Sequence, residues 1–271
     1  MPSVPGRPPE PSDLHQAFAA TRPLDWGDND LTAADIARLH GTDAASRSLW
    51  LLEQAAAIEP NVTEQFLASL PSTASPYQLA RRVKSPESLA RKIRDWIDTE
   101  RRFPVDDVLR YTVLTESADD LVAAARSTVD ELDSRGWRVK YAMHSYTDGS
   151  RYKGIHAYLT PPGIARAEVQ FHSIPSVGVK EMTAPWYEIE RSATASPDER
   201  ASARRECIEL SATLQQPSGI GGLRTLGGKR VAVNNYSDSR EREQSPEHEP
   251  RGIAQQTHRF TAADRNDGIA R

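Results

Sequence analysis

Asp107-Val108-Leu109-Arg110-Tyr111-Thr112-Val113-Leu114-Thr115 is the stretch that decides the fold class. Its apolar residues Val108, Leu109, Tyr111, Val113 and Leu114 run almost without interruption, as in a strand buried inside a sheet. Upstream, Ser85 followed by Pro86 supplies an N-cap and an N1 proline, so a helix opens there and runs to about residue 100. Downstream, 117–132 reads as a helix capped by Ser117 and stopped by Gly136. Three strand-like runs follow at 137–146, 152–160 and 165–172, divided by Asp148-Gly149, which suits a hairpin, and by Pro161-Pro162-Gly163. Ser196, Pro197 and Glu199 cap a last helix reaching about residue 214. From residue 81 onward this is an α/β or α+β pattern around a mixed sheet.

Outward from that block the text becomes helical, then polar. Thr32 and Asp35 form a candidate capping box for a short helix ending at Gly41, with Ile36 and Leu39 at apolar spacing. The stretch 43–59 repeats the pattern, with Trp50, Leu51, Gln54 and Ala57 on neighbouring turns, and Pro60 separates it from a further helix at 62–70. Residues 1–12 are Pro-rich and 217–271 are Gly-rich and then mixed in charge, with few aliphatic residues after Val233. Neither end carries the apolar surface needed to offset chain entropy, so both are expected to be disordered. The division expected is therefore 1–12 disordered, 13–79 helical, 80–216 the mixed-sheet domain and 217–271 a disordered tail. The 271-residue chain is 38% hydrophobic and 27% charged, with 19 prolines and a formal charge of −4. That balance excludes a whole-molecule basic field for nucleic acid, so any nucleotide site must be local. The single cysteine, Cys207, excludes an internal disulfide and reads as a buried helix residue. No stretch approaches the roughly 18 apolar residues of a membrane helix, and no basic-then-apolar leader opens the chain, so a cytoplasmic protein without a membrane partner is expected.

Chemistry is concentrated in three places. The run Arg81-Arg82-Val83-Lys84-Ser85-Pro86-Glu87-Ser88-Leu89-Ala90-Arg91-Lys92 puts Lys84 at a helix N-terminus, with Ser88 and Lys92 on one face. Such a group of cations and a hydroxyl suits a polyphosphate, although a solvated basic helix end gives the same text. In Ala167-Glu168-Val169-Gln170-Phe171-His172 the alternation turns Ala167, Val169 and Phe171 to a core and Glu168, Gln170 and His172 to the other face. A glutamate on a central strand needs a cation or a positive partner, whereas on an edge strand its face is simply wet. Asp106 and Asp107 stand where the decisive strand begins; Asp107 with Glu168 meets the needs of a hydrated magnesium ion, and turn capping is the competing reading. In Tyr152-Lys153-Gly154-Ile155-His156, Tyr152, Gly154 and His156 share a face, so the ring can stack on a base or pack across strands.

Taken in order, Arg82-x-Lys84-Ser85-x-x-Ser88-x-x-x-Lys92, Asp107 before an apolar strand, Tyr152-x-x-x-His156 and Glu168-x-Gln170 resemble RelA/SpoT synthetase domains over residues 80–192. The resemblance implies an α+β, nucleotidyltransferase-like mixed sheet flanked by helices, and an ATP-dependent pyrophosphokinase. The transfer it implies is of pyrophosphate to the 3′-hydroxyl of a nucleotide or a tRNA 3′ end, in the manner of alarmone synthetases or related toxins. By the same resemblance, Arg82, Lys84, Ser88 and Lys92 hold ATP, Asp107 and Glu168 carry Mg2+, and Tyr152 stacks on the acceptor base. His156 and Gln170 order the acceptor and the metal centre, and Glu168 draws the hydroxyl proton. The resemblance also leaves room for a neutralising protein partner, and for a catalytically degenerate nucleotide- or protein-binding module on the same fold. Three departures stand out. Arg110-Tyr111-Thr112 replaces the usual Gly-x-Arg, with Arg110 as substitute donor-site arginine; Asp148-Gly149-Ser150-Arg151 replaces Pro-Lys, leaving Arg151 and Lys153 as acceptor-side cations; and 180–187 lacks the usual histidine.

Overall fold

The computed structural model describes residues 7–27, 30–98, 107–163, 167–192 and 194–236. Four helices come first: α1 (Pro11–Ala19), α2 (Ala33–His40), α3 (Thr42–Ala56) and α4 (Glu59–Ala68). Strand β1 (Ala74–Tyr77), helix α5 (Pro86–Asp98), strand β2 (Leu109–Thr115) and helix α6 (Leu121–Ser134) follow. The chain continues through β3 (Arg138–His144), β4 (Ile155–Thr160), β5 (Ala167–Ser173), α7 (Ile174–Arg191), α8 (Pro197–Ala212), β6 (Thr225–Leu226) and β7 (Lys229–Val233). The seven strands form one mixed sheet in the order β1-β2-β5-β4-β3-β7-β6, flanked by helices, which is the expected α+β class. Strands β2 and β5 are parallel, as are β3 and β7, and the remaining pairings are antiparallel.

The two faces of the sheet differ. Leu109, Tyr111 and Val113 of β2 are buried with Ala167, Val169 and Phe171 of β5 and Ile155, Ala157 and Leu159 of β4 in one apolar cluster. That cluster also takes in Leu14, Phe18, Leu49, Leu52 and Phe66 from the N-terminal helices, so these helices share the core of the sheet. Phe66 stacks on Tyr111 with ring centroids 4.5 Å apart, and α6 packs across β2, β5 and β3. The opposite face carries the polar residues and is covered by α7, which docks on β5 and pairs with α8. For this reason β2 alternates rather than being buried on both sides: Arg110 is exposed between buried Leu109 and Tyr111.

Several local expectations hold and several shift. Thr32–Asp35 and Ser196–Glu199 are complete capping boxes, and Ser85 Oγ accepts the Ser88 amide proton at 3.3 Å to open α5. Helix α6 starts four residues later than expected because Ser117 bonds the Asp120 side chain instead of capping, whereas Gly136 ends it at φ +90° as read. In α3 the buried face is Ala45, Ser48, Leu49, Leu52 and Ala55, while Gln54 and Ala57 are exposed, so the face read from Trp50 was rotated away from the core. Both ends also need correction. Residue 11 already begins α1, and 217–236 is not a loose tail, because β7 pairs with β3, β6 pairs with β7, and Leu226 of β6 and Val231 of β7 are buried in the core. Residues 1–6, 237–271 and Asp106 lie outside the described residues. No helix among those described is long and apolar enough to cross a membrane.

Candidate active site

The polar face is assembled by register. Arg110 on β2 sits opposite Glu168 on β5, Glu168 opposite Tyr158 on β4, and Tyr158 opposite Tyr141 on β3. One step along, Gln170 lies opposite His156. Strand β5 is the third of seven, which excludes the wet-edge reading of Glu168. Glu168 is 5% exposed and its Oε1 accepts from His156 Nδ1 at 2.8 Å and from Tyr158 Oη at 3.2 Å. Burial pushes its carboxyl up, but the His156 hydrogen bond and the His156 and Arg110 charges win and hold it at about 2, so it is an anion.

Two cavities open on this face. The first, about 410 Å³, is lined by Lys84, Ser85, Ser88, Arg91, Asp107, Arg110 and Arg191, with Asp25, Trp26 and Arg81 at its side. It exists because 82–84 runs as a short bridge beside the start of β2, Val83 opposite Leu109, with Lys84 N–H donating to the Val108 carbonyl at 3.0 Å. Lys84 Nζ and Lys92 Nζ then reach the two oxygens of Asp107 at 2.7 and 2.8 Å. Burial alone raises the Asp107 carboxyl; the two ammonium groups reverse that and leave it below its ordinary value. Desolvation lowers the Lys84 ammonium, opposed by Asp107.

The second cavity, about 370 Å³, is lined by Arg110, Tyr152, His156, Glu168, Gln170 and Lys180, with Tyr158, Tyr187, Cys207 and Tyr236 completing the wall. Tyr152 is fixed here by its hydroxyl, 2.7 Å from His172 Nε2. Ser176 Oγ gives its proton to the Ser173 carbonyl, so it accepts from His172 Nδ1, which leaves Nε2 to accept from Tyr152. Burial holds His172 well below its ordinary pKa, in keeping with that neutral tautomer. Gly154 is required: a Cβ there would lie 2.9 Å from Tyr152 Oη, 3.0 Å from His172 Cε1 and 3.3 Å from His156 Nε2. His156 Nε2 is buried with no hydrogen-bond partner among the described residues.

Lys84, Ser88, Asp107 and Arg110 are therefore gathered at the first cavity, with Lys92 behind them on Asp107, and Tyr152, His156, Glu168 and Gln170 at the second, with Arg110 lining both. Arg82 is not among them. It is fully buried, bonded to Glu59 through Nε and Nη2 and to the carbonyls of Pro23 and Phe18, and it lines neither of these two cavities. Lys153 is likewise buried and lines neither cavity; burial lowers its ammonium pKa. Arg151 does line the second cavity but is paired with buried Glu190.

Sequence reading missed Lys180, whose Nζ lies 3.4 Å from Gln170 Oε1. Burial and the Arg110 charge lower its amine to about 8. The spacing Ser176, Lys180, Thr183, Tyr187 puts it on the inward face of α7 and was legible. Arg191 and Tyr236 gave no comparable signal.

Magnesium can be tested against the donors present. Asp107 and Glu168 are both held as anions, and one or two carboxylates with water and phosphate oxygens complete a magnesium shell. Among the described residues no group of three or more His, Cys, Asp or Glu is placed to hold a metal alone. Asp107 lines the first cavity and Glu168 the second, and both Asp107 oxygens are held by Lys84 and Lys92, so Asp107 is open to a magnesium ion arriving with a polyphosphate only once those lysines turn to the phosphates.

No family model matches the chain, and no curated protein matches it. Among solved structures it is similar to the small alarmone synthetase 2 from Bacillus subtilis, at 14% identity over 60% of this chain and 90% of that one, TM-score 0.41. A GTP pyrophosphokinase family protein from Streptococcus pneumoniae is similar at 11% identity, over 70% of this chain and 92% of that one, TM-score 0.36. The complex between a type VI effector and its immunity protein gives 17% identity, 63% and 94% coverage and a TM-score of 0.37. At such values the likeness carries no argument.

Proposed function

We propose that this protein transfers pyrophosphate from ATP to the 3′-hydroxyl of a nucleotide or of a tRNA 3′ end. The observation that carries the reading is Arg110: it lines a basic cavity and a tyrosine-walled one, and across β2 and β5 it stands beside Glu168. A reaction between a polyphosphate and a base-bearing hydroxyl compound needs two such compartments meeting at one cation. The N-terminus of α5, with Lys84, Ser88 and Arg91, suits the triphosphate. The ring of Tyr152 suits the acceptor base.

In this scheme the acceptor hydroxyl oxygen forms a bond to the β-phosphorus, the bond from that phosphorus to the oxygen bridging the α-phosphate breaks, and AMP leaves. Arg110 lies where charge gathers on the transferred group and stabilises it. Lys84 and Lys92 turn from Asp107 toward phosphate oxygens, and Asp107 and Glu168 would hold magnesium. When bound, that ion supplies charge neutralisation along the triphosphate. Glu168 stands ready to take the hydroxyl proton, but with its carboxyl held at about 2 it is a weak base, so its larger contribution is electrostatic.

A second reading is a nucleotide-binding module without turnover. It is favoured by the saturation of both Asp107 oxygens by Lys84 and Lys92, which neutralises the carboxylate a metal needs. Incubation with magnesium and ATP labelled in its β- and γ-phosphates, against a panel of nucleotides and tRNA, separates the two. Labelled acceptor with AMP release supports transfer; ATP binding without either product supports the module.

A further inference from the structure

The wall of the second cavity includes a residue from the far end of the described chain. Strand β7 pairs in parallel with β3, Ala142 opposite Val231 through His144 opposite Val233. Beyond it the chain is tied down twice: Asn234 N–H donates to the His144 carbonyl at 2.9 Å, and Asn235 Nδ2 donates to the Asp148 carbonyl at 3.0 Å. Those bonds deliver Tyr236 to the cavity, its ring edge-to-face with Tyr152 at a centroid distance of 5.5 Å and an interplanar angle of 89°. His172 holds the Tyr152 hydroxyl, and Tyr236 shapes the space beside the Tyr152 ring.

We infer that Tyr236 is part of the acceptor site: its ring and that of Tyr152, in edge-to-face contact at 5.5 Å, form one aromatic corner against which the acceptor base packs, and this rests on the transfer reading above. Four tyrosines, 152, 158, 187 and 236, line the cavity together with three cations: Arg110 and Lys180 beside Glu168 and Gln170, and Arg151, which is paired with Glu190 and lies over the Tyr187 ring. A ligand with a flat aromatic group and an anionic group fits that lining, which is the chemistry of a nucleoside phosphate. Burial, with the Glu168 charge as a smaller contribution, raises the Tyr236 hydroxyl, so the ring presents a neutral surface throughout the working pH range. The specificity of the site is therefore built in part by residues 229–236, which follow the domain that the sequence motifs delimit.

The test is equilibrium binding by calorimetry to the full chain, wild type, Tyr236→Ala and Tyr236→Phe, with ADP and GDP as acceptor probes and α,β-methylene-ATP as donor probe. Removing one base-contacting ring weakens a diphosphate about 5-fold to 150-fold, so Tyr236→Ala is expected to lose affinity by that factor for whichever diphosphate binds wild type. Tyr236→Phe keeps the ring and is expected to bind like wild type, and both variants keep their affinity for the ATP analogue. Unchanged diphosphate binding by Tyr236→Ala overturns this inference alone. An equal loss for both probes overturns it too, as a general collapse of the site. Wild type that binds neither diphosphate overturns it, whereas the transfer reading, which also admits a tRNA 3′ end, falls only if the labelled-ATP panel yields no AMP.

Discussion

Arg82 stands in the phosphate-binding motif by sequence and in the core by structure, and the two placements predict different phenotypes. Its guanidinium is fully buried and meets both oxygens of Glu59, which is itself fully buried and bonded to Thr63, whose hydroxyl is 2.9 Å from Tyr111 Oη. Removing one partner strands the other as a buried charge, which costs about 3–5 kcal/mol, against about 5–15 kcal/mol of total stability for an ordinary domain. Arg82→Met is therefore expected to lower the melting temperature by about 6–20 °C, at about 2–4 °C per kcal/mol for a domain of this size. The pair Arg82→Met with Glu59→Gln removes both charges and is expected to recover most of that loss, because apolar or neutral replacements of a buried ion pair are commonly tolerated. Thermal melts of the two single variants and the double variant, with calorimetric binding of α,β-methylene-ATP below their melting points, make the assay. An Arg82→Met protein that melts within about 2 °C of wild type yet has lost the ATP analogue would refute the structural role and restore the phosphate-binding one.

Glu168→Gln is expected to reduce transfer about 100-fold to 1,000-fold by removing the anion opposite Arg110. Because the Glu168 carboxyl sits at about 2 against an ordinary 4.5, its charge stabilises the fold fully above that ordinary value and the contribution is lost as pH falls through about 2. Acid unfolding of Glu168→Gln should accordingly show a shallower dependence over that window, and superimposable acid limbs would count against the assignment. With the Lys180 amine at about 8, acceptor binding should weaken as pH rises from about 7 to about 9 in wild type and stay level in Lys180→Arg; parallel profiles would exclude Lys180 from the site. Gly154→Ala forces a Cβ to 2.9 Å from Tyr152 Oη, so diphosphate binding should fall with ATP-analogue binding intact, and unchanged affinity for both would show that Tyr152 need not be held.

What the sequence revealed and what it hid follow from the range of the forces involved. Local signals were legible: the Ser85 cap of α5, the two capping boxes, and the alternation of β5 that set Glu168 and Gln170 against Ala167, Val169 and Phe171. Choices among like residues were not. Nothing in Arg81-Arg82-Val83-Lys84 tells which arginine turns inward; that depends on Glu59, 23 positions earlier. In α3 the large ring of Trp50 suggested a core face that the smaller Ala45, Ser48 and Ala55 occupy instead, because close helix packing against α2 and α5 favours small side chains. The strands β6 and β7 were hidden because a short run such as Lys-Arg-Val-Ala-Val gains its strand character from a parallel partner, β3, that lies 89 positions away. Tyr236 depends on that pairing and was hidden with it.

The most direct measurement is the fate of the β-phosphate of ATP. Purified protein is given magnesium, ATP labelled at the β-phosphate and an acceptor panel of GDP, GTP, ADP, ATP and tRNA, and the products are separated for label and for AMP. The account predicts label on one acceptor class in amounts equal to the AMP formed, with transfer abolished or nearly so in Glu168→Gln. Release of ADP with label still on the nucleotide, or no AMP across the whole panel from protein that binds ATP, would contradict it.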